Sequence, residues 1–237
     1  MFSLSFDTYT AEDNYWRSSL IVKFDSPVKF LCAGDQLCSN NQFSVGNYCI
    51  NHSVESLAFK NINENSQPVI LDDWLSVELA MLDTSCPTLL TAVHAKNYHC
   101  VSELTKEKIK ISAITTAGIK SNAINIHHDR VQDAPSTVGT INIILCSNVN
   151  LTETAMAQAL GMVYESKASL FHDNHWKSAY SDTIATGTGT DSVIIASNID
   201  EDIDQVSYSG SHSVIAGMIS EVVRSSIECS VKKTGRN

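Results

Sequence analysis

The sequence predicts an α/β or α+β fold, in which helices pack on a mixed β-sheet and the whole chain, residues 1–237, forms one domain. Three observations predict it. The N-terminal half is rich in short β-type runs, whereas the C-terminal half twice alternates a strand with a helix. The chain has 43% hydrophobic and 18% charged residues, with only 10 glycines and 4 prolines, so it has a globular composition without a long flexible linker.

The N-terminal half is defined by its β-type runs. Residues 20–22 and 28–31 are short β-type runs that flank the turn-like segment 25–27, Asp-Ser-Pro, so we expect a hairpin there. A third strand is expected over residues 43–54. Residues 72–82 carry apolar side chains at helical spacing behind two aspartates, which predicts a helix.

The C-terminal half contains two strand–helix units, which span residues 139–172 and 190–231. In the first unit, Thr152 or Asn150 can cap the start of an amphipathic helix. In chain order, the expected elements are strands over residues 109–116, 139–147 and 191–196, and helices over residues 151–172 and about 213–231.

Charge and hydropathy exclude several classes of partner. The formal net charge is −10 at pH 7, and an acidic surface repels phosphate backbones, so we do not expect a nucleic-acid partner. No apolar run approaches the ~20 residues that a membrane span needs. The first residues lack a basic region followed by an apolar core, which argues against a signal peptide and favours a soluble, cytoplasmic protein. Homo-oligomer formation is left open.

Neither cysteines nor histidines form a recognisable metal motif. The seven cysteines are scattered without C-x-x-C spacing, so we expect buried free thiols in a reducing cytosol rather than disulfides or a zinc site. Adjacent side chains on a strand point to opposite faces, so the segment 127–129, His-His-Asp, is expected to be a surface loop. No metal is therefore expected.

Three segments carry unusual polar patterns at strand ends. They are residues 115–118 (TTAG) with 121–123 (SNA), residues 139–145 (GTINIIL) with 165–168 (ESKA), and residues 185–191 (ATGTGTD). Glycines let backbone N–H groups approach a ligand closely. Hydroxyl and amide groups beside them can orient a polar substrate without a metal.

In this order and spacing the segments resemble the adenosylcobinamide amidohydrolase family, over residues 112–230. The resemblance implies hydrolysis of the amide that joins a corrin side chain to aminopropanol. The product would be adenosylcobyric acid, in corrinoid salvage for cobalamin biosynthesis. The cobalt corrinoid is then the substrate, and no cofactor is expected. The chain departs from the family pattern at Lys120, an extra residue in the first turn, and at Tyr164, where the family has Thr.

Amide hydrolysis needs a nucleophile, a proton shuttle and stabilisation of the oxyanion. The chain has no G-x-S-x-G elbow and no H-E-x-x-H helix. Glu165 and Lys167 lie two positions apart on a helix and point in different directions, so at most one of them faces a site strongly. The resemblance suggests as catalytic residues Glu165 (general base on water), Lys167 or Asn142 (oxyanion stabilisation) and Asp191 (positioning, or binding a corrin amide). In a rival version, Thr188 or Thr190 is the nucleophile.

Substrate-binding residues are expected in the same segments. They are Thr116, Gly118, Asn122, Thr140, Thr186, Gly187, Thr188, Gly189, Thr190 and His212. His212 precedes the last helix and is either a turn residue or a proton shuttle that titrates near neutrality.

Two other classes of function stay open. One is a corrinoid-binding module without turnover, which the departures at Lys120 and Tyr164 allow. The other is a different small-molecule amidase, or an enzyme that uses residues 187–189 as an anion cradle. The 187–189 run lacks the G-x-x-x-x-G-K-[ST] pattern of a P-loop.

Overall fold

The computed structural model describes residues 2–10, 16–34, 43–55, 86–129, 139–203 and 205–235. The helix expected over residues 72–82 lies outside them. In chain order the elements are β1 (Phe2–Thr10), β2 (Trp16–Ala33), β3 (Phe43–Val54), β4 (Thr88–Thr91), α1 (Ala95–Tyr98), β5 (Cys100–Lys106), β6 (Ile109–Ala117), β7 (Ala123–Ile124), β8 (Ile141–Ser147), β9 (Asn150–Leu151), α2 (Glu153–Asp173), β10 (Gly187–Thr188), β11 (Ser192–Asn198), β12 (Gln205–Val206) and α3 (Val214–Lys233).

The described part of the chain is built on an eight-stranded sheet with the order β4-β3-β2-β11-β8-β6-β5, in which β1 also pairs with β2. The sheet is mixed, because β8 and β11 are parallel, whereas β11 and β2, β8 and β6, and β6 and β5 are antiparallel. The units β8–α2 and β11–α3 confirm the two predicted strand–helix units and, with the strand-rich N-terminal half, the predicted fold class.

The expected hairpin is wrong, because β2 runs unbroken over 18 residues from Trp16 to Ala33. The turn-like residues 25–27 lie within the strand and are exposed. They coincide with a shift in the pairing register of β2 with β3, between Lys23 and Val28. A bulge tolerates proline because the ladder is locally broken there and no N–H is needed. The first part of β2 pairs with β1, and the second part pairs with β11.

The two faces of the sheet cover separate cores. On the helix side, Ile143 and Leu145 of β8 pack with the apolar faces of α2 and α3. On the opposite, inner side, Ile144 packs with residues of β2, β6 and β11 such as Phe30 and Ile194. This alternation follows the period of two along a strand and leaves β8 buried on both faces.

Both long helices begin at side-chain caps. Thr152 accepts a hydrogen bond from Ala155 N at the start of α2, and Ser213 accepts one from Ala216 N at the start of α3. Such caps satisfy backbone donors that have no partner inside the helix. Of the two N-caps considered for α2, the structure selects Thr152. Among the described residues, no helix combines the length and apolar character needed to cross a bilayer.

The prediction of free thiols holds for only some cysteines. Cys49 and Cys146 are buried and free, as predicted, and Cys86 is a buried thiol that donates a hydrogen bond to Tyr48 O. Cys100 of β5 and Cys229 of α3 instead form a disulfide, so the prediction is wrong for both. The two residues are 129 positions apart, so no local spacing could have indicated the pair. Cys32 is disulfide-bonded as well.

Candidate functional site

Asp191, between β10 and β11, joins the segments that carry the family resemblance. Its Oδ1 accepts a hydrogen bond from Ile141 N at 3.0 Å, and its Oδ2 accepts one from Thr188 N at 2.9 Å. Thr188 Oγ1 donates to Oδ1 and Lys167 Nζ donates to Oδ2. The Gly-Thr turn, the start of β8 and the middle of α2 therefore meet at one carboxylate.

The ion pair between Lys167 and Asp191 is buried, with side-chain exposures of 8% and 5%. A buried ion pair is costly to desolvate and is stable only when its remaining hydrogen bonds are satisfied, as they are here for Asp191. Lys167 Nζ also lies 4.9 Å from the centre of the Tyr164 ring. Burial, and secondarily the Asp191 charge, raises the pKa of Tyr164. The family departure at Tyr164 thus contacts the ion pair directly.

Gly187 packs against this ion pair so closely that no side chain fits. A Cβ at this position would overlap both Asp191 Oδ2 and Lys167 Nζ. The glycine is therefore required by the close approach of the protein's own ion pair, and its expected approach to a ligand stays a prediction.

The three segments dock on one another through hydrogen bonds to backbone carbonyls. β7 and β10 form a short antiparallel ladder in which Gly187 pairs with Ile124. The other contacts are Gly118 N to Thr140 O at 2.9 Å, Asn122 Nδ2 to Gly139 O at 2.7 Å, Thr140 Oγ1 to Thr190 O at 2.7 Å, Thr186 N to Ile124 O at 2.8 Å and Gly189 N to Asn122 O at 3.3 Å. The turn residues proposed to bind substrate therefore form one connected rim, on which Gly189 and Thr190 are exposed.

A second polar group lies on the inner side of the sheet, next to the start of β8. Asn142 Nδ2 donates to Leu90 O and to Asn51 Oδ1, both at 2.8 Å. Asn51 Nδ2 donates to Thr116 Oγ1, also at 2.8 Å. Asn142 Oδ1 is buried and has no hydrogen-bond partner in the part of the chain that is described. We call Asn142, Asn51 and Thr116 the amide cluster.

Two residues predicted for the site lie apart from these groups. Glu165 is exposed on α2, two positions from buried Lys167, and His212 is exposed in the turn before α3. A role for either residue stays a prediction. His127 and His128 are exposed in a turn, as expected for a surface loop.

Two residues that complete the site, Asn51 and Tyr180, belong to none of the sequence motifs. Asn51 lies on β3, far from the motifs along the chain, and only its polar character within a buried strand marks it. Tyr180 OH donates to Asn122 Oδ1 at 3.0 Å from a surface turn. Neither residue stands at a fixed spacing from the motifs, so the tertiary structure was needed to find them.

A groove of about 630 Å³ lies at the opposite end of β8 and β11 from these clusters. Phe2, Phe24 and Val28 contribute its apolar lining, and Glu103 and Lys110 contribute charged groups. Lys110 and the neighbouring Ser112 hold the pKa of Glu103 below its ordinary value. The groove is separate from the motif residues.

Comparison with known proteins identifies the family of the chain. An alignment of 145 positions that covers 54% of the chain is 32% identical to the uncharacterized protein MJ1613 of Methanocaldococcus jannaschii. The match spans 56% of that relative, about half its length. The crystal structure of the PH0078 protein from Pyrococcus horikoshii OT3 is 10% identical, with a TM-score of 0.42, over 97% of this chain and 84% of that chain. That likeness is too low to support an argument. The family model described as adenosylcobinamide amidohydrolase matches residues 5–237, nearly the whole chain. The chain therefore belongs to the adenosylcobinamide amidohydrolase family.

Proposed function

We propose that this protein hydrolyses the amide between a corrin side chain and aminopropanol in adenosylcobinamide, and so releases adenosylcobyric acid for corrinoid salvage. The observation that carries the proposal is the convergence of the family's motif segments on Asp191. Residues that are scattered over 50 positions of sequence, from Ile141 to Asp191, share one carboxylate at a single end of the sheet.

The geometry favours Thr188 as the nucleophile over a water activated by Glu165. The Thr188 hydroxyl donates to Asp191 Oδ1, so its proton already points at a carboxylate that can accept it. Lys167 balances the charge of that carboxylate. Glu165 is exposed and makes no described contact with this group.

In the proposed reaction, Thr188 Oγ1 adds to the amide carbonyl carbon and its proton passes to Asp191. The C–N bond then breaks, and the aminopropanol nitrogen leaves with that proton. Water next adds to the ester that links Thr188 to the corrin side chain. The C–O bond to Thr188 breaks, the hydroxyl is restored, and the side chain is released as a carboxylate.

The test is to incubate the protein with adenosylcobinamide and to measure released aminopropanol and adenosylcobyric acid. We expect turnover by the wild type and a loss of at least about a hundredfold in kcat for Thr188→Val, which is typical for loss of a nucleophile or of its activation. Rapid quenching should trap the corrin acyl group on the peptide that contains Thr188, as read by mass spectrometry.

Lys167→Met is expected to lower kcat as well, because it leaves Asp191 buried without its countercharge. Lys177→Met is the matched control, since Lys177 forms an exposed ion pair with Asp182 and should leave turnover unchanged. A change in the corrinoid spectrum without product would indicate a binding module instead. If neither binding nor turnover is seen, the protein acts on another substrate.

A further inference from the structure

We infer that the amide cluster of Asn142, Asn51 and Thr116 is a recognition site for a primary carboxamide, such as those on the rim of a corrin ring. This inference deepens the function proposed above and rests on it for the identity of the macrocycle. It adds Asn51 as a positioning residue, keeps Thr116 in substrate binding, and moves Asn142 from oxyanion stabilisation to substrate binding.

The orientation of the cluster is fixed by one backbone carbonyl. Leu90 O can only accept hydrogen bonds, so the Asn142 amide must present its Nδ2 to it. The same Nδ2 donates to Asn51 Oδ1, which leaves Asn51 Nδ2 to donate to Thr116 Oγ1. Rotating the Asn142 amide by half a turn would bring its oxygen against the oxygen of Leu90, and rotating the Asn51 amide would bring two N–H donors together.

This fixed direction leaves an unused acceptor on Asn142 and an unused donor on Thr116. Asn142 Oδ1 is an acceptor with no partner among the described residues. Thr116 Oγ1 accepts from Asn51, so its own hydroxyl hydrogen is left to donate, and no described residue accepts it. All three residues are at most 1% exposed. A buried polar group without a partner is destabilising, and its retention points to a ligand that completes it.

The two unused groups are neighbours on one face of the sheet. Thr116 of β6 and Asn142 of β8 are register partners on adjacent antiparallel strands. Cβ atoms of such pairs are about 4.5–5.5 Å apart. A primary carboxamide offers an N–H and a C=O on the same side, at a spacing that suits one acceptor beside one donor. A trans secondary amide directs its N–H and C=O to opposite sides, and a carboxylate has no donor, so neither fits.

The cluster lies just inside the rim of the sheet. Asn142 is the second residue of β8, and Thr116 is the second-last residue of β6. Leu90, whose carbonyl anchors the cluster, is half-buried. Ser192 of β11 is the register partner of Asn142, and the exposed Gly34 packs over Ser192. This rim is the side from which a side chain that projects from a larger ligand would enter the cluster.

The first test is a titration of the wild-type protein with small amides, followed by NMR of the asparagine side-chain NH₂ groups. Propanamide should shift the signals of Asn142 and Asn51, whereas N-methylpropanamide and propanoate should not. Equal shifts with all three probes, or none with propanamide, would overturn the inference. Because the probes are not corrinoids, this result does not depend on whether adenosylcobinamide is the substrate.

The second test uses variants at Thr116. Thr116→Val should abolish the propanamide response and raise KM for adenosylcobinamide roughly tenfold with little change in kcat, because the lost bond is to a part of the substrate that does not react. Thr116→Ser keeps the hydroxyl and should restore both properties. Asn51→Asp should mimic Thr116→Val, because the carboxylate would capture the Thr116 proton.

Thr115→Val is the matched control. Thr115 is equally buried, but its hydroxyl contacts Ser226 Oγ at 2.8 Å on the helix side. Its removal should lower stability about as much as Thr116→Val and leave KM and the probe response unchanged. If Thr115→Val and Thr116→Val raise KM equally, the cluster is only structural. Turnover by the wild type with an unchanged KM in Thr116→Val would refute the inference while the proposed function stands.

Discussion

At the scale of single residues, the site is held by close packing around one buried ion pair. Lys167 and Asp191 leave no room for a Cβ at Gly187. The carboxylate in turn holds Thr188 and the first N–H of β8. A residue without a side chain is therefore as important to this geometry as the charged residues.

Gly187→Ala is expected to lower the free energy of unfolding by about 1–3 kcal/mol, the usual cost of overpacking, and to reduce turnover because it displaces Lys167 from Asp191. Urea unfolding and the aminopropanol assay would measure the two effects. Gly161→Ala is the control, since Gly161 lies on α2 with nothing within 4 Å of a Cβ. It should stabilise the protein by up to about 1 kcal/mol and leave activity intact. Similar effects of both substitutions would argue against the packing explanation.

At the scale of elements, α3 holds the strand that carries Thr116. Ser230 Oγ accepts a hydrogen bond from Ala117 N at 2.8 Å and donates to Tyr98 O at 2.7 Å. The Cys100–Cys229 disulfide ties the same part of α3 to β5, the neighbour of β6 in the sheet. Helix, edge strand and site strand therefore form one cross-linked unit.

Cys229→Ser is expected to lower the free energy of unfolding by about 2–4 kcal/mol, because a cross-link between residues 129 positions apart restricts the unfolded chain strongly. Urea unfolding with and without reductant would measure it. Because Cys32 is also disulfide-bonded, the wild type and the variant should be equally stable when both are measured in reductant. A variant as stable as the oxidised wild type would show that the disulfide contributes nothing to stability.

The sequence predicted the elements whose patterns are local. The strand–helix units were placed correctly because the spacing of apolar residues and the helix caps, such as Thr152, can be recognised within a few neighbouring residues. The prediction of a hairpin was wrong because residues 25–27, which form a bulge, have the composition of a turn. Only the pairing of β2 with β1, β3 and β11 shows that the strand continues. Asn51 and the disulfide were missed because their partners are distant along the chain.

At the scale of the whole molecule, the sheet is curved so that strands from the N-terminal and C-terminal halves of the chain contribute to one site. Asn51 of β3 reaches Thr116 of β6, although β2, β11 and β8 lie between them in the sheet. The resemblance noted from sequence began only at residue 112, but the N-terminal half supplies Asn51 and Leu90 to the site. This agrees with a family match that extends from residue 5.

Two histidines at the ends of α1, His94 and His99, are partly buried, which makes the stability of the protein depend on pH. The His94 ring packs on Trp16 at 4.5 Å, and the His99 ring packs on Phe6 at 4.8 Å. Burial lowers the pKa of both histidines from the ordinary value of 6.5, and Lys96 beside His94 and Lys233 beside His99 act in the same direction. The folded protein therefore keeps both rings neutral at a pH where the unfolded chain takes up protons.

Because the unfolded state binds more protons, the free energy of unfolding should fall as the pH drops below about 6.5, and it should not depend on these rings above that value. Both rings are partly exposed, so we expect a loss of no more than about 1 kcal/mol for each between pH 7.5 and 5.5. The Glu103 contribution is lost only at lower pH, as its lowered carboxyl pKa is passed. Urea unfolding at the two pH values should show the loss in the wild type and a smaller loss in His94→Gln and His99→Gln. A double variant that keeps the full pH dependence would show that other groups cause it.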